Sequence, residues 1–271
     1  MKKEHFILAF VAIFMQINLV AASRWLQSLP ECGLQMADFG IQSNYYSEIC
    51  NLQSEIQNPK SEIHEAWDKL LQKHVQQGNV NYKLFKNDKA ALENYIKTLS
   101  AHTPATNASK QEKKAFWLNA YNALTIKLIL EHYPIKSIKD LDKGNPWDVS
   151  RYALGGKNYS LNEIENKILR PMGDARIHFG LNCAAKSCPP IDARAFVAKT
   201  VETQLDQLTR AFINKTQENQ LKGNTIKISN LFNWYAVDFG NVIAFLNQYA
   251  ALPVYKNAKI TYTTYDWNLN E

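Results

Sequence analysis

The chain has 271 residues, 46% hydrophobic and 11% aromatic, enough to bury a substantial core and unlike a disordered polymer. Its 31 Lys and Arg against 25 Asp and Glu give a formal charge of +6, with both signs interleaved, as in KQEKK at 110–114 and EIENK at 163–167. A nucleic-acid face needs a Lys/Arg stripe, and none is present, so no nucleic acid partner is expected.

Residues 1–5 (MKKEH) are basic, 6–20 (FILAFVAIFMQINLV) are almost wholly apolar, and Val20-Ala21-Ala22 supplies the small residues of a cleavage site. The run is shorter than the ~20 residues of a membrane span, and Gln16 and Asn18 interrupt it. Segment 1–22 is therefore read as a secretory signal peptide. An exported chain is expected, periplasmic or secreted, with no stable membrane span after signal removal. Removing Lys2, Lys3 and Glu4 lowers the formal charge from +6 to +5. Residues 23–60 read as an N-terminal extension tied down by Cys32 and Cys50, and 61–271 as one domain.

From Ser61 the pattern is helical, with Ile63, Trp67, Leu70, Leu71 and Val75 at helical spacing and Gly78 as the stop. A second helix is predicted near 88–100. In 109–134, Ser109 and Glu112 fit a capping box and Pro134 marks the end. Apolar residues cover most of this helix, so its Asn119/Asn122/Thr125 stripe must either stitch the core or line a site. A hairpin is expected about Gly155-Gly156, and Ser160 with Glu163 fits a capping box opening a helix to Arg170.

In DARIHFGLNC, Ile177, Phe179 and Leu181 alternate with polar or small residues, which predicts a strand. A helix near 200–214, a hairpin about Gly223-Asn224, a helix near 241–250 and a strand near 259–265 follow. The fold class expected is α+β: a single helix-rich globular domain with short antiparallel strands and hairpins. Phe232, Trp234, Tyr235 and Phe239 are read as core aromatics, and Asp238 as a cap for the next helix.

All four cysteines (32, 50, 183, 188) follow the signal segment, and their even number in an exported chain makes disulfides the default. Cys32–Cys50 with Cys183–Cys188 is the most local of three pairings. If Cys183 is instead a free thiol, His178 could generate the thiolate and Glu163 or Glu165 could orient that base. Asn182, or backbone amides of the 183–188 loop, could stabilise an oxyanion. His178, Cys183 and Cys188 are spaced unlike a structural zinc site; no metal and no cofactor is assigned.

Segments 115–130 (AFWLNAYNALTIKLIL), 137–141, 146–170, 174–191 (DARIHFGLNCAAKSCPPI), 228–239 (ISNLFNWYAVDF) and 260–269 (ITYTTYDWNL) resemble successive motifs of the domain of unknown function 547 family. The resemblance runs from about residue 61 to the end. The family pattern includes Arg176, His178, Asn182, Cys183, Ser187, Cys188, Pro189 and Pro190, with Gly180 in place of the usual Ala. Cys183 and Cys188 are thus family features, whereas Cys32 and Cys50 are not covered. Some plant members join this domain to a glutaredoxin-like module, which implies thiol chemistry by association only.

Two functions stand against each other. The first is a thiol-dependent enzyme, acyl-transfer/hydrolase or redox, using Cys183, His178, Glu165, Asn182 and Cys188 on an unidentified small-molecule or protein partner. The second is a non-enzymatic envelope or host-interaction module whose cysteines form structural disulfides.

Overall fold

In a computed structural model of the chain, residues 63–271 are described. The expectations for 1–22, for 23–60 and for Cys32–Cys50 lie outside them.

Helix α1 (Glu65–His74) places Trp67, Leu70 and Leu71 in the core and ends before a short hairpin. Its strands, β1 (Val75–Gln76) and β2 (Asn79–Val80), pair antiparallel. Gln77 and Gly78 both have positive φ (50° and 80°), so Gly78 turns this hairpin rather than stopping a helix. A Cβ on Gly78 would lie 2.2 Å from Pro190 Cβ, which brings the hairpin against the cysteine loop. Short helix α2 (Tyr82–Phe85) and α3 (Lys89–Ala101) follow.

The longest helix, α4 (Lys110–His132), opens with the full Ser109/Glu112 capping box and is buried at almost every position from Lys114 to Leu130. Its amides act as substitute backbone. Asn119 Nδ2 donates to the Phe196 carbonyl at 2.7 Å while its Oδ1 accepts from the Phe196 N–H at 2.9 Å. Asn122 Nδ2 donates to the Gly180 carbonyl and its Oδ1 accepts from the Asn182 N–H, each at 2.9 Å. Thr125 bonds back to the Tyr121 carbonyl. The stripe stitches the core, and through Asn122 it fixes the chain leading into Cys183.

Strands β3 (Tyr152–Leu154) and β4 (Lys157–Tyr159) form the expected hairpin over Gly155-Gly156. The Ser160/Glu163 capping box opens α5 (Leu161–Glu163), which continues into a π-helical segment, Ile164–Leu169, and a 3-10 turn, Arg170–Met172.

The strand expected at 174–183 is instead helical, as α6 (Ile177–Gly180). Asp174 starts it: its Oδ1 accepts from the Arg176 N–H, and its carbonyl accepts from the Ile177 N–H. The alternation has another origin. Ile177 and Leu181 enter one apolar core, built around α4, while Phe179 enters a second, with Phe212, Ile228 and Phe232. Residues 177–182 are all buried, so the segment is a seam between two cores and has no solvent face. Gly180 suits it, because an added Cβ would sit 2.8 Å from Leu205 Cδ2.

Helix α7 (Val201–Ile213) packs on both α4 and α6. The hairpin expected at Gly223-Asn224 is reduced to one bridge, Gln220 with Lys227. Strand β5 (Thr225–Ile228) pairs instead in parallel with the terminal strand β6 (Lys259–Tyr262). Between them lie α8 (Leu231–Trp234), α9 (Ala236–Phe239) and α10 (Val242–Tyr249). The domain is helix-rich α+β, with two antiparallel hairpins and one parallel pair among the described residues. No described helix is long and apolar enough to cross a membrane.

Candidate functional site: a dithiol beside an aromatic pocket

Beyond Gly180 the chain turns extended, and Asn182 organises the loop to Cys188. Asn182 Oδ1 accepts from the Ala184 N–H at 3.0 Å, and its Nδ2 donates to the Pro189 carbonyl at 2.8 Å. Ala184 takes φ 61°, a left-handed conformation that closes the turn. The C-terminal tail clamps the loop from outside. Lys186 and Ser187 N–H groups donate to the Asn268 and Asp266 carbonyls, and the Asn270 N–H donates to the Ala184 carbonyl. The Asn182 amide thus holds the loop through its Oδ1 and one N–H of its Nδ2, the part of a positioning residue.

This fold-back brings the two sulfurs to 2.8 Å, a contact longer than the ~2.05 Å of a bonded pair, and both cysteines are free thiols. The Cys183 N–H also donates to Cys188 Sγ. Cys183 is half-buried and Cys188 buried. The Tyr265 hydroxyl lies 3.2 Å from Cys183 Sγ. Hydrogen bonding with Cys188, and after it with Tyr265, holds the Cys183 thiol below its ordinary value against burial. Burial, followed by the neighbouring Cys183, pushes the Cys188 thiol up. The first proton therefore leaves Cys183.

Both sulfurs line a cavity of about 200 Å³ together with His178 and Glu165. One wall is aromatic: Trp234, Tyr265 and Trp267 contact one another, and Trp147 packs against Trp267. Tyr121 and Tyr235 complete the lining.

His178 stacks on Tyr235 with ring centroids 3.8 Å apart, and its Nε2 lies 2.7 Å from Asp238 Oδ2. Arg170 grips the same carboxylate through two N–H groups at 2.6 and 2.9 Å. That pairing, Arg170 first, holds Asp238 below the usual carboxylate range. Burial lowers His178 to about 4 despite Asp238, so the ring is neutral at pH 7. With Nε2–H donating to Asp238, Nδ1 is left as an acceptor, 3.7 Å from Glu165 Oε1. Glu165 projects from the π-helical segment, a distortion common at functional sites. Burial raises its carboxyl, opposed by the Tyr235 hydroxyl, Arg170 and the Tyr121 hydroxyl.

Of the residues read from the sequence, Cys183, Cys188, His178 and Glu165 therefore meet at one cavity. No hydrogen bond joins His178 to Cys183. Glu163 is occupied by its capping box. The nearest orienter of His178 is Asp238, which does not cap a helix; Asn241 caps α10. Trp234 and Tyr235 line the cavity, whereas Phe232 and Phe239 are core aromatics as expected. Tyr265, Trp267 and Trp147 were carried by no local signal beyond the motifs containing them.

Comparison with curated proteins and with solved structures finds no match. The motifs at 228–239 and 260–269, which supply Asp238 and Tyr265, lie beyond the segment that a family model covers. Residues 105–213 match the family model described as Protein of unknown function, DUF547, the family that the motifs in the sequence resemble.

Proposed function

We propose that this protein is a thiol–disulfide exchange enzyme in which Cys183 attacks and Cys188 resolves. The observation that carries this reading is the asymmetry of the pair: a half-buried, acidified thiol opening to a cavity, with a buried, less acidic thiol in contact behind it. The Cys183 thiolate attacks one sulfur of a substrate disulfide. A Cys183–substrate bond forms, the substrate S–S bond breaks, and the leaving sulfur takes a proton. Cys188 then loses its proton and attacks Cys183 Sγ, forming the Cys183–Cys188 bond and releasing the second substrate thiol. Two electrons pass to the substrate, and an external dithiol reductant restores the pair. The reverse sequence oxidises a dithiol, with direction set by relative potentials.

The acyl-transfer alternative draws less support, because His178 is turned toward Asp238 and Glu165 with no hydrogen bond to Cys183. The leader composition supports export to an oxidising compartment, where such a pair would cycle. The clamped loop favours a second reading, a structural disulfide in a non-enzymatic module.

Trapping separates the two. Cys188→Ser should accumulate a mixed disulfide at Cys183 with 2-hydroxyethyl disulfide, seen as an intact-mass increase, while the wild-type chain releases it. A wild-type 183–188 bond that withstands mild reductant, with no adduct in the variant, would leave the structural reading.

A further inference from the structure

The cavity wall has an electrostatic bias that the exchange chemistry does not require. Its lining includes no Lys or Arg, whereas the mutually contacting rings of Trp234, Tyr265 and Trp267, with Trp147 against Trp267, offer π-faces and Glu165 offers a carboxyl. Asp238 is balanced by two bonds from Arg170 and by His178. Glu165 has no Lys or Arg ion pair: the Tyr235 and Tyr121 hydroxyls bond it, a neutral imidazole lies at 3.7 Å, and Arg170, whose two bonds go to Asp238, acts on it only through space. The aromatic set already attracts cations elsewhere: Lys139 Nζ lies 4.9 Å from the Trp267 ring and the Arg170 guanidinium 5.4 Å from Tyr235.

We propose that the cavity binds an organic cation, an ammonium group carried by the substrate beside its reacting sulfur, between the aromatic faces and the Glu165 carboxylate. Only the attachment to a sulfur compound rests on the exchange reading. A cavity of about 200 Å³ admits one small ammonium-bearing group. Desolvated there, a cation gains more from ring faces than it does in water. An anion would meet Glu165 with no lining cation to offset its desolvation. A neutral group gains stacking alone.

Two titrations test this separately. The first uses Cys183→Ser/Cys188→Ser protein with choline and its uncharged isostere 3,3-dimethylbutan-1-ol, read by tryptophan fluorescence. Choline should saturate with affinity about tenfold above the isostere. Trp234→Ala should abolish the preference, and this half-exposed ring can be removed without opening a core. Glu165→Gln should reduce it. Equal responses, or none, would overturn the cation site.

The second compares cystamine, 2-hydroxyethyl disulfide and 3,3′-dithiodipropionate as partners of Cys183 in the Cys188→Ser variant, where the mixed disulfide accumulates. Adduct formation should fall in that order, with Glu165→Gln narrowing the spread. Equal rates with all three, without a choline response, would defeat the cation inference and leave exchange standing. A choline response without adducts would defeat exchange and leave the cation site.

Discussion

Among the described residues, the polar cluster around Lys114 and the one at the cavity floor are built to opposite rules. Around Lys114, itself buried, every charge meets an opposite one: Lys114 pairs with Asp174 at 2.5 Å and Glu202 at 2.7 Å. Arg176 then bonds Asp174, Glu202 and Asp206. At the cavity floor, Asp238 is paired, but Glu165 and Cys183 have only neutral hydrogen-bond partners and open space in front of them. A fully satisfied cluster fixes helices in place. A partly satisfied one beside a void keeps interaction capacity for a ligand.

Removing Lys114 should have the largest effect on stability. Lys114→Met leaves Glu202 and part of Asp174 without their buried partner and should cost ~2–4 kcal/mol, reduced from a full buried-pair loss because Arg176 remains. Urea denaturation measures it, and Cys183 reactivity in the folded fraction should not change. Loss without a stability change would show that the network is dispensable.

Asn122→Ala should strike the core and the site together. It strands the Gly180 carbonyl and the Asn182 N–H, costing ~2–6 kcal/mol at ~1–3 per buried group, and loosens the Cys183 loop. Destabilisation together with slower Cys183 alkylation is expected; unaffected alkylation would separate the stripe from the site.

Acid sharpens the comparison. His64 and His178 are both lowered to about 4, chiefly by burial. The unfolded chain takes protons near pH 6.5 that the folded chain refuses, so stability is complete above that and falls as pH drops toward 4. Roughly 3 kcal/mol for each histidine is the upper bound. Asp174, lowered to about 2 by Arg176 and Lys114 against its burial, adds stability present above pH ~4 and lost as pH falls toward 2. Denaturation midpoints at pH 7, 5 and 3 should fall in that order; a flat profile would place these histidines in water.

The subtlest variant is Tyr265→Phe. It removes one hydroxyl from the Cys183 sulfur and should raise the thiol, read as a shift of the Cys183 alkylation profile to higher pH, with little loss of stability; an unmoved profile would show that the hydroxyl does not act on the sulfur.

Local chemistry was legible in the sequence; convergence was not. The Ser109/Glu112 and Ser160/Glu163 boxes and the Gly155-Gly156 hairpin are decided within a few residues, and each forms as read. Alternation at 177–181 misled because two cores, rather than core and solvent, flank that segment. The π-helical segment that aims Glu165 inward leaves no period in the sequence. Asp238 lies 60 residues from His178 and Tyr265 82 from Cys183, and nothing near those positions announces a partner. Cysteine spacing identified the centre of the site, but only the folded chain identifies its walls.

The central claim is that Cys183 is the acidic thiol of the pair. Alkylation of the reduced protein between pH 4 and 9, with each cysteine quantified by mass spectrometry, tests it most directly. The account predicts half-maximal Cys183 reactivity below the ~8.5 of an ordinary thiol, with Cys188 unreactive over that range. A Cys183 that titrates at or above that value, or that alkylates no faster than Cys188, would contradict it.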